Sequence, residues 1–318
     1  MPQMTTGAYI AGTGFFVPPR VVTNEDLSRF VDTSDEWIQS RTGIKARHLI
    51  DPEHPMGLID MAEQAALRAL TQSQTEAEDL DMIILASASQ DYRLPSGACL
   101  LQDRLSAKRA CAFDLIAACA GSLHALAVAS QFLDGQKYKN ILVVGAELMS
   151  NAIDWTDRNT CVLFGDAASA AVLKKSPEQN IGFIDFDFYA DGSQWQSIWM
   201  PHGGKVQMKG QETFKFAVRA LSQAVEKILS NHGLQPSDIG QVVAHQANLR
   251  IIEAISDRIR IPMERFMINI DRYANTSSAS LLLTYDEAMA QGRIQTGDRV
   301  LMMAVGAGFV WGVGLYRA

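Results

Sequence analysis

The chain has 318 residues, 47% of them hydrophobic, and a formal net charge of -7. That length allows one large core or two domains. The acidic balance argues against a nucleic-acid protein, which usually carries a basic face, but leaves room for a local basic patch facing an acidic partner.

The opening "MPQMTTGAYIAGTG" lacks a basic run followed by an apolar core, so no signal peptide is read there. Next comes "DTSDEWIQSRTGIKARH" (32–48), then a helix over "MAEQAALRAL" (61–70), with apolar residues three and four apart. The strands "MIILAS" (82–87) and "ILVVGAE" (141–147) are apolar runs suited to a sheet covered on both faces. Between them, the β-rich "ACAFDLIAA" (110–118) leads into Cys119 and the Ala-rich helix "AGSLHALAVASQFL" (120–133).

The second half repeats this order. A helix is predicted over "FAVRALSQAVEKIL" (216–229), followed by the strands "QVVAH" (241–245) and "VLMMAV" (300–305). "AEQAALRAL" at 62 and "AEDLDMIIL" at 77 reappear as "LSQAVEKIL" at 221 and "PSDIGQVVA" at 236. "ILVVGAE" matches "VLMMAVG" at the same displacement of 159 residues, from 141 to 300. A repeat this long suggests duplicated domains rather than a solenoid. Alternating helices and strands imply α/β units with mostly parallel pairing. Two such halves face to face would make a five-layered αβαβα sandwich. The division falls near residue 175, at the polar bridge "KKSPEQN" (174–180), giving halves 1–175 and 176–318.

The uncharged run 300–316 approaches the length of a membrane-spanning helix. Its glycines at 306, 308, 312 and 314 suit two buried strands joined by a tight turn better, so no membrane association is expected. Cys99, Cys111, Cys119 and Cys161 form no C-x-x-C pair and have no histidine at zinc-ligand spacing. Neither a metal site nor a disulfide framework is expected, free thiols in a large chain point to a cytoplasmic location, and Cys99, Cys111 and Cys161 are read as core packing.

The chemistry gathers at three places. Cys119 opens a helix, where the macrodipole and unpaired N–H groups favour a thiolate nucleophile; a small inert core cysteine is the plainer alternative. His245 ends a strand and opens a loop, the place where α/β proteins build ligand sites; a surface or capped histidine is the alternative. Asn275 precedes "TSSAS" and a helix, where simple N-capping would also explain it. The Gly-rich "AVGAGFVWG" (304–312) follows a strand, as expected where backbone approaches a ligand, or forms a tight hairpin.

Taken together, "CAG", "HQAN", "NTSSAS" and "GDAASAAVL", in their positions along the chain, resemble the thiolase-fold condensing enzymes. Within these the resemblance is to the β-ketoacyl-[acyl-carrier-protein] synthase III family, and "DTSDEWI" and "HQANLRI" extend it over essentially the whole chain. It implies a catalytic Cys119, His245 and Asn275, and an oxyanion hole from the backbone of Cys119 and Ala307. An acyl-coenzyme A primer would condense decarboxylatively with a malonyl thioester, expected on acyl-carrier protein, and initiate fatty-acid synthesis. Coenzyme A thioester is then a substrate, and no cofactor is needed.

The resemblance also assigns coenzyme A contacts to Trp37, Arg41, Arg158, Gln211 and Phe214, and carrier-protein docking to Lys215 and Arg250. Leu94 and Val305 would shape the acyl pocket, Leu94 by reaching across a homodimer interface. Val305, Ala307, Gln211 and a short 200–208 loop depart from the family's usual pattern. They keep open a related condensing enzyme or acyltransferase of secondary metabolism with a non-standard starter. A non-catalytic thioester-binding partner is the reading from another class; retention of all three site residues speaks against it.

Overall fold

Strands apolar on both faces and helices with one apolar stripe bury their surfaces by stacking in layers. In this computed structural model, which describes residues 7–318 except 136, 177, 179 and 180, they do so. The strands run β1 (Ala8–Phe16), β2 (Val21–Thr23), β3 (Ala46–His48), β4 (Met82–Ala86), β5 (Cys111–Leu115), β6 (Asn140–Glu147) and β7 (Ala167–Lys175). They continue as β8 (Gly182–Ala190), β9 (Ile198–Trp199), β10 (Gln207–Met208), β11 (Gln241–Ala244), β12 (Arg299–Gly306) and β13 (Val310–Arg317). One sheet has the order β1-β7-β6-β4-β5, the other β11-β12-β13-β8; β2 with β3 and β9 with β10 form small ribbons. The first six residues, and Pro177, Gln179 and Asn180 of the expected bridge, lie outside the described residues.

The period-two alternation of each strand sorts its side chains between layers. On β6, Ile141 and Val143 face the central layer, while Leu142, Val144 and Ala146 pack on the outer helix Leu58–Ser73. On β12, Val300, Met302 and Ala304 face the centre, while Leu301, Met303 and Val305 pack on the outer helices Gly210–Asn231 and Leu249–Ile259. The helices Gly121–Asp134 and Ser280–Ala290 fill the central layer between the sheets. The result is the five-layered sandwich, and residues 300–316 form the expected strand pair, β12 with β13.

Two expectations are corrected. Pairing is mixed rather than mostly parallel. β4 with β5, β4 with β6 and β11 with β12 are parallel; β1 with β7, β6 with β7, β12 with β13 and β13 with β8 are antiparallel. Helical crossovers accompany the parallel pairs, whereas the direct β12–β13 turn reverses the chain. Cys99 and Cys111 are exposed rather than packed in the core, while Cys161 is buried. Cys111 starts β5, which pairs with β4 alone and forms the sheet edge.

The duplication explains where the site forms. β4 and β11, β6 and β12, and the helices starting at Gly121 and Ser280 keep the displacement of 159 seen in the sequence. The two central helices therefore begin side by side, and the Ser122 hydroxyl donates to the Ser278 carbonyl. Gly145 on β6 lies beneath this junction: a Cβ there would sit 2.3 Å from Ser122 Oγ and 2.5 Å from the Ser278 carbonyl oxygen. Backbone cannot step aside as a side chain can. Gly145→Ala is expected to destabilise the fold by about 1–3 kcal/mol through overpacking. A lowered urea midpoint at unchanged m would show it; an unchanged midpoint would mean that the junction has slack.

Candidate active site

Cys119 sits in a single 3-10 turn, Ala118–Ala120, that runs directly into the helix Gly121–Asp134. The residue before it, Ala118, is held at φ +45°. β12 ends against this turn: a Cβ on Gly306 would lie 2.7 Å from the Ala117 carbonyl oxygen, 2.9 Å from the Cys119 nitrogen and 3.1 Å from the Ala120 nitrogen. Glycine alone lets the two backbones approach this closely. Ala307 follows Gly306 at the β12–β13 turn.

His245 follows the last residue of β11 and is buried. Its Nδ1 lies 2.5 Å from Ser280 Oγ, and the same oxygen accepts from the Gln246 N–H at 3.3 Å. Ser280 donating to Nδ1 leaves the ring proton on Nε2, the tautomer that makes the other ring nitrogen a donor. Burial pushes the His245 pKa down to about 3, so the ring is neutral at physiological pH.

Asn275 is tied by its backbone to the first half: its N–H donates to Leu163 and its carbonyl accepts from Gly165. Its Oδ1 accepts from the Ser277 N–H at 2.9 Å, the local capping bond that the sequence allowed. That bond occupies the acceptor and leaves the amide Nδ2 as the donor. Ala274 and Ser277, flanking Asn275, have φ of +58° and +49°. A left-handed non-glycine residue thus precedes Cys119 and two flank Asn275, strain of the kind that accumulates at functional sites.

Cys119, His245, Asn275, Val305 and Gly306 line one cavity of about 750 Å³. Its walls are largely apolar, with Leu163, Phe164, Ile198, Met208 and Phe309 among them. Burial pushes the Cys119 thiol up to about 11; the Ser277 hydroxyl opposes this and the Glu147 charge adds to it. Desolvation thus opposes the thiolate that the helix N-terminus would favour.

Towards the mouth stand Trp37, Arg41, Gln211, Phe214, Lys215 and Arg250. Trp37 and Arg41 share the helix Asp35–Thr42, capped by Ser34, whose hydroxyl accepts from the Trp37 N–H at 3.1 Å. The guanidiniums of Arg41 and Arg158 each lie 4.8 Å from the Trp37 ring centre. Arg158 is anchored by its bond to the Asp32 carbonyl at 2.7 Å and borders the mouth through Trp37. Arg250, near the start of the helix Leu249–Ile259, lies 5.8 Å from the Phe214 ring. Residues 200–206 join β9 to β10, and Ile198 of β9 and Met208 of β10 form part of the wall.

Leu94 is 86% exposed and lies outside this cavity. Several contacts escaped the sequence reading: Glu147, Ser277 and Ser280 behind the reactive groups, and Phe309, stacked on Phe216 with ring centres 4.0 Å apart. Ser277 and Ser280 lie within "NTSSAS" and Phe309 within "AVGAGFVWG", while Glu147 is an acid closing an otherwise apolar strand.

Gly306→Ala is expected to slow modification of Cys119 by a thioester about 10²–10³-fold, because the new Cβ displaces the Cys119 N–H. Single-turnover rates with circular dichroism as a fold control would measure it. A folded variant within twofold of the parent would mean that this N–H does not matter.

Two duplicated α/β halves enclosing a cysteine, a histidine and an asparagine define the thiolase-fold condensing enzymes. Residues 113–192 match the family described as 3-oxoacyl-[acyl-carrier-protein (ACP)] synthase III, and residues 229–318 match its C-terminal region. The chain is 45% identical over 320 residues to the β-ketoacyl-[acyl-carrier-protein] synthase III of Xanthomonas campestris pv. campestris, covering 97% of each chain. The crystal structure of 3-oxoacyl-[acyl-carrier-protein] synthase III from Aquifex aeolicus superposes with a TM-score of 0.95 at 43% identity, covering 98% of this chain and 100% of that one. The priming β-ketosynthase of the R1128 polyketide pathway superposes with a TM-score of 0.91 at 31% identity, covering 98% and 96%. The chain belongs to the 3-oxoacyl-[acyl-carrier-protein] synthase III family.

Proposed function

We propose that the protein condenses an acyl-coenzyme A primer with a malonyl thioester carried on acyl-carrier protein, releasing carbon dioxide and initiating fatty-acid synthesis. The observation that carries this reading is the convergence of Cys119, His245 and Asn275 on one largely apolar cavity. Cys119 loses its proton and attacks the acyl thioester; coenzyme A leaves and an acyl-cysteine remains. The malonyl thioester then enters the emptied cavity. His245 Nε2 and Asn275 Nδ2 donate to its thioester oxygen as carbon dioxide departs, stabilising the enolate charge without a change in their own charge. The enolate carbon attacks the acyl-cysteine, and the Cys119 and Ala307 N–H groups hold the tetrahedral oxyanion.

The mouth suits coenzyme A. Trp37 offers an aromatic face to adenine, and Arg41 and Arg158 offer guanidiniums to its phosphates. Gln211 and Phe214 lie along the path of the pantetheine arm. Lys215 and Arg250, exposed at the rim, would dock the acidic carrier protein. Trp37→Ala is expected to raise the KM for acyl-coenzyme A roughly 5- to 30-fold, about 1–2 kcal/mol of stacking, with kcat little changed. A drop in kcat at constant KM would place Trp37 in some other role.

A homodimer fits the exposed side of Leu94. Ile116, 78% exposed, directly follows β5, whose outer edge has no partner strand among the described residues and would be covered by a second copy. Leu94 would then close the partner's acyl pocket. The assembly would work in the cytoplasm, where its thiols stay reduced.

Acyl-coenzyme A-dependent release of labelled carbon dioxide from carboxyl-labelled malonyl-carrier protein tests the reaction. Release in step with β-ketoacyl product supports condensation; acyl transfer without carbon dioxide release would overturn it. Val305 in the cavity wall and the short β9–β10 connection favour a second reading, a condensing enzyme of secondary metabolism. A primer panel in the same assay separates the two by the starter consumed.

A further inference from the structure

Glu147 closes β6 with a fully buried carboxylate that the reaction above does not use. Ser89 Oγ lies 2.5 Å from its Oε2, and the Ala88 N–H reaches both oxygens at 3.2–3.3 Å. On the other side, Ser277 Oγ lies 3.0 Å from Glu147 Oε1 and 3.4 Å from Cys119 Sγ. Ser277 therefore bridges the buried acid to the reactive sulfur. Its φ of +49° is part of what puts it there.

The duplication makes this arrangement more telling. Glu147 and Gly306 end corresponding strands, and Cys119 and Ser278 occupy corresponding places ahead of the central helices. On one side Gly306 leaves the Cys119 N–H beside the cavity. On the other, Glu147 covers the Ser278 N–H at 3.4 Å and extends through Ser277 to the sulfur. Only one copy of the repeat carries an acid, and it is connected to the nucleophile.

A hydroxyl has one proton, so Ser277 cannot donate to both neighbours at once. The thiol can donate to Ser277 while Ser277 donates to the carboxylate. Alternatively, the carboxylic acid donates to Ser277 while Ser277 donates to the thiolate. Two buried negative charges this close disfavour each other, so the pair favours holding one proton between them.

We propose that Ser277 and Glu147 form a relay that takes the Cys119 proton as the sulfur attacks and returns it when the sulfur is released. The S–H bond breaks, the Ser277 O–H bond is exchanged, and an O–H bond forms on Glu147 Oε1. The acyl carbon moves from coenzyme A sulfur to Cys119 Sγ, and the departing coenzyme A thiolate takes a proton from solvent. When condensation frees Sγ, the Glu147 proton returns by the same path. The inference rests on Cys119 being the nucleophile. Ser277 touches the reacting sulfur; Glu147 acts through it as a positioning residue. Around the carboxylate stand Ser87, Ala88 and Ser89 after β4, Ser277 and Ser278, and Cys119 beyond Ser277; among these, Cys119 is the group that titrates.

The test is the rate of Cys119 alkylation by iodoacetamide from about pH 5.5 to 9, a readout that needs no acyl substrate. The parent rate should be nearly flat between about pH 6 and 8, because internal transfer consumes no proton. Glu147→Gln keeps the shape but cannot take the proton. Its rate should rise about tenfold per pH unit and lie at least about tenfold below the parent at neutral pH. Ser277→Ala should behave likewise, the double variant should be no slower than either single one, and Glu147→Asp should recover part of the loss. A Glu147→Gln rate equal to or above the parent at neutral pH would overturn the relay, since removing a charge alone should favour the thiolate. Additive losses in the double variant would also overturn it. Thermal unfolding checks each fold, and Ser277→Ala, a smaller change, decides should Glu147→Gln unfold. Normal alkylation profiles with no acyl adduct from any acyl-coenzyme A would instead overturn the proposed function and leave the relay standing.

Discussion

Cys119→Ala should form no acyl adduct with any acyl-coenzyme A, a loss beyond about 10⁴-fold in turnover. No other thiol can replace it. Cys161 is buried away from the cavity lining, and Cys99 and Cys111 lie exposed elsewhere. The substitution removes only a sulfur from a turn whose backbone is fixed by Gly306 and the following helix, so the fold should survive. Peptide mapping of the parent should place its adduct on Cys119. An adduct of equal yield on the alanine variant would remove Cys119 from the mechanism.

His245→Ala and Asn275→Ala should separate the two half-reactions. Acylation should stay within about threefold of the parent, because neither side chain is asked to attack or to hold the acyl group. Decarboxylation of the malonyl unit should fall about 10²–10³-fold for each, the typical cost of one lost donor to a developing oxyanion. The geometry supports this division. The Ser280 hydroxyl occupies His245 Nδ1 and the Ser277 N–H occupies Asn275 Oδ1, leaving one donor on each. The neutral ring also sets a pH expectation. With its pKa held near 3, His245 should contribute no titration to the malonyl step between about pH 5 and 8. The unfolded ring protonates below about 6.5 while the folded one stays neutral, so His245 lowers stability as pH falls from about 6.5 towards 3. Equal loss of acylation and decarboxylation in both variants would show that the roles are not divided this way.

Much of this was legible before any coordinates. The displacement of 159 residues marked the corresponding strands and central helices, because a duplicated packing unit repeats its apolar spacing. The turn from apolar strand to small-residue helix marked Cys119, and the strand end marked His245. What sequence spacing could not supply was direction and environment. The antiparallel partners β1, β7, β8 and β13 are joined to their neighbours over long distances or by one tight turn, and apolar runs carry no sign of strand direction. Helix position suggested a thiolate at Cys119, but burial depends on what the other half of the chain places around it. Ser277 meets the sulfur from 158 positions away and Glu147 reaches it through Ser277 from 28 positions away, and neither belongs to a spacing that points to Cys119. Leu94 could be assigned a pocket only by resemblance, and its exposure gives it no pocket in its own chain.

The central claim is that Cys119 carries an acyl group which a malonyl thioester then removes. Intact-protein mass spectrometry after incubation with a panel of acyl-coenzyme A thioesters, followed by a malonyl-carrier-protein chase, tests it most directly. The expected result is a single adduct of primer mass on Cys119 that disappears during the chase as β-ketoacyl-carrier protein forms. A stable adduct untouched by the chase, or no adduct with any short, medium or branched primer, would contradict the account.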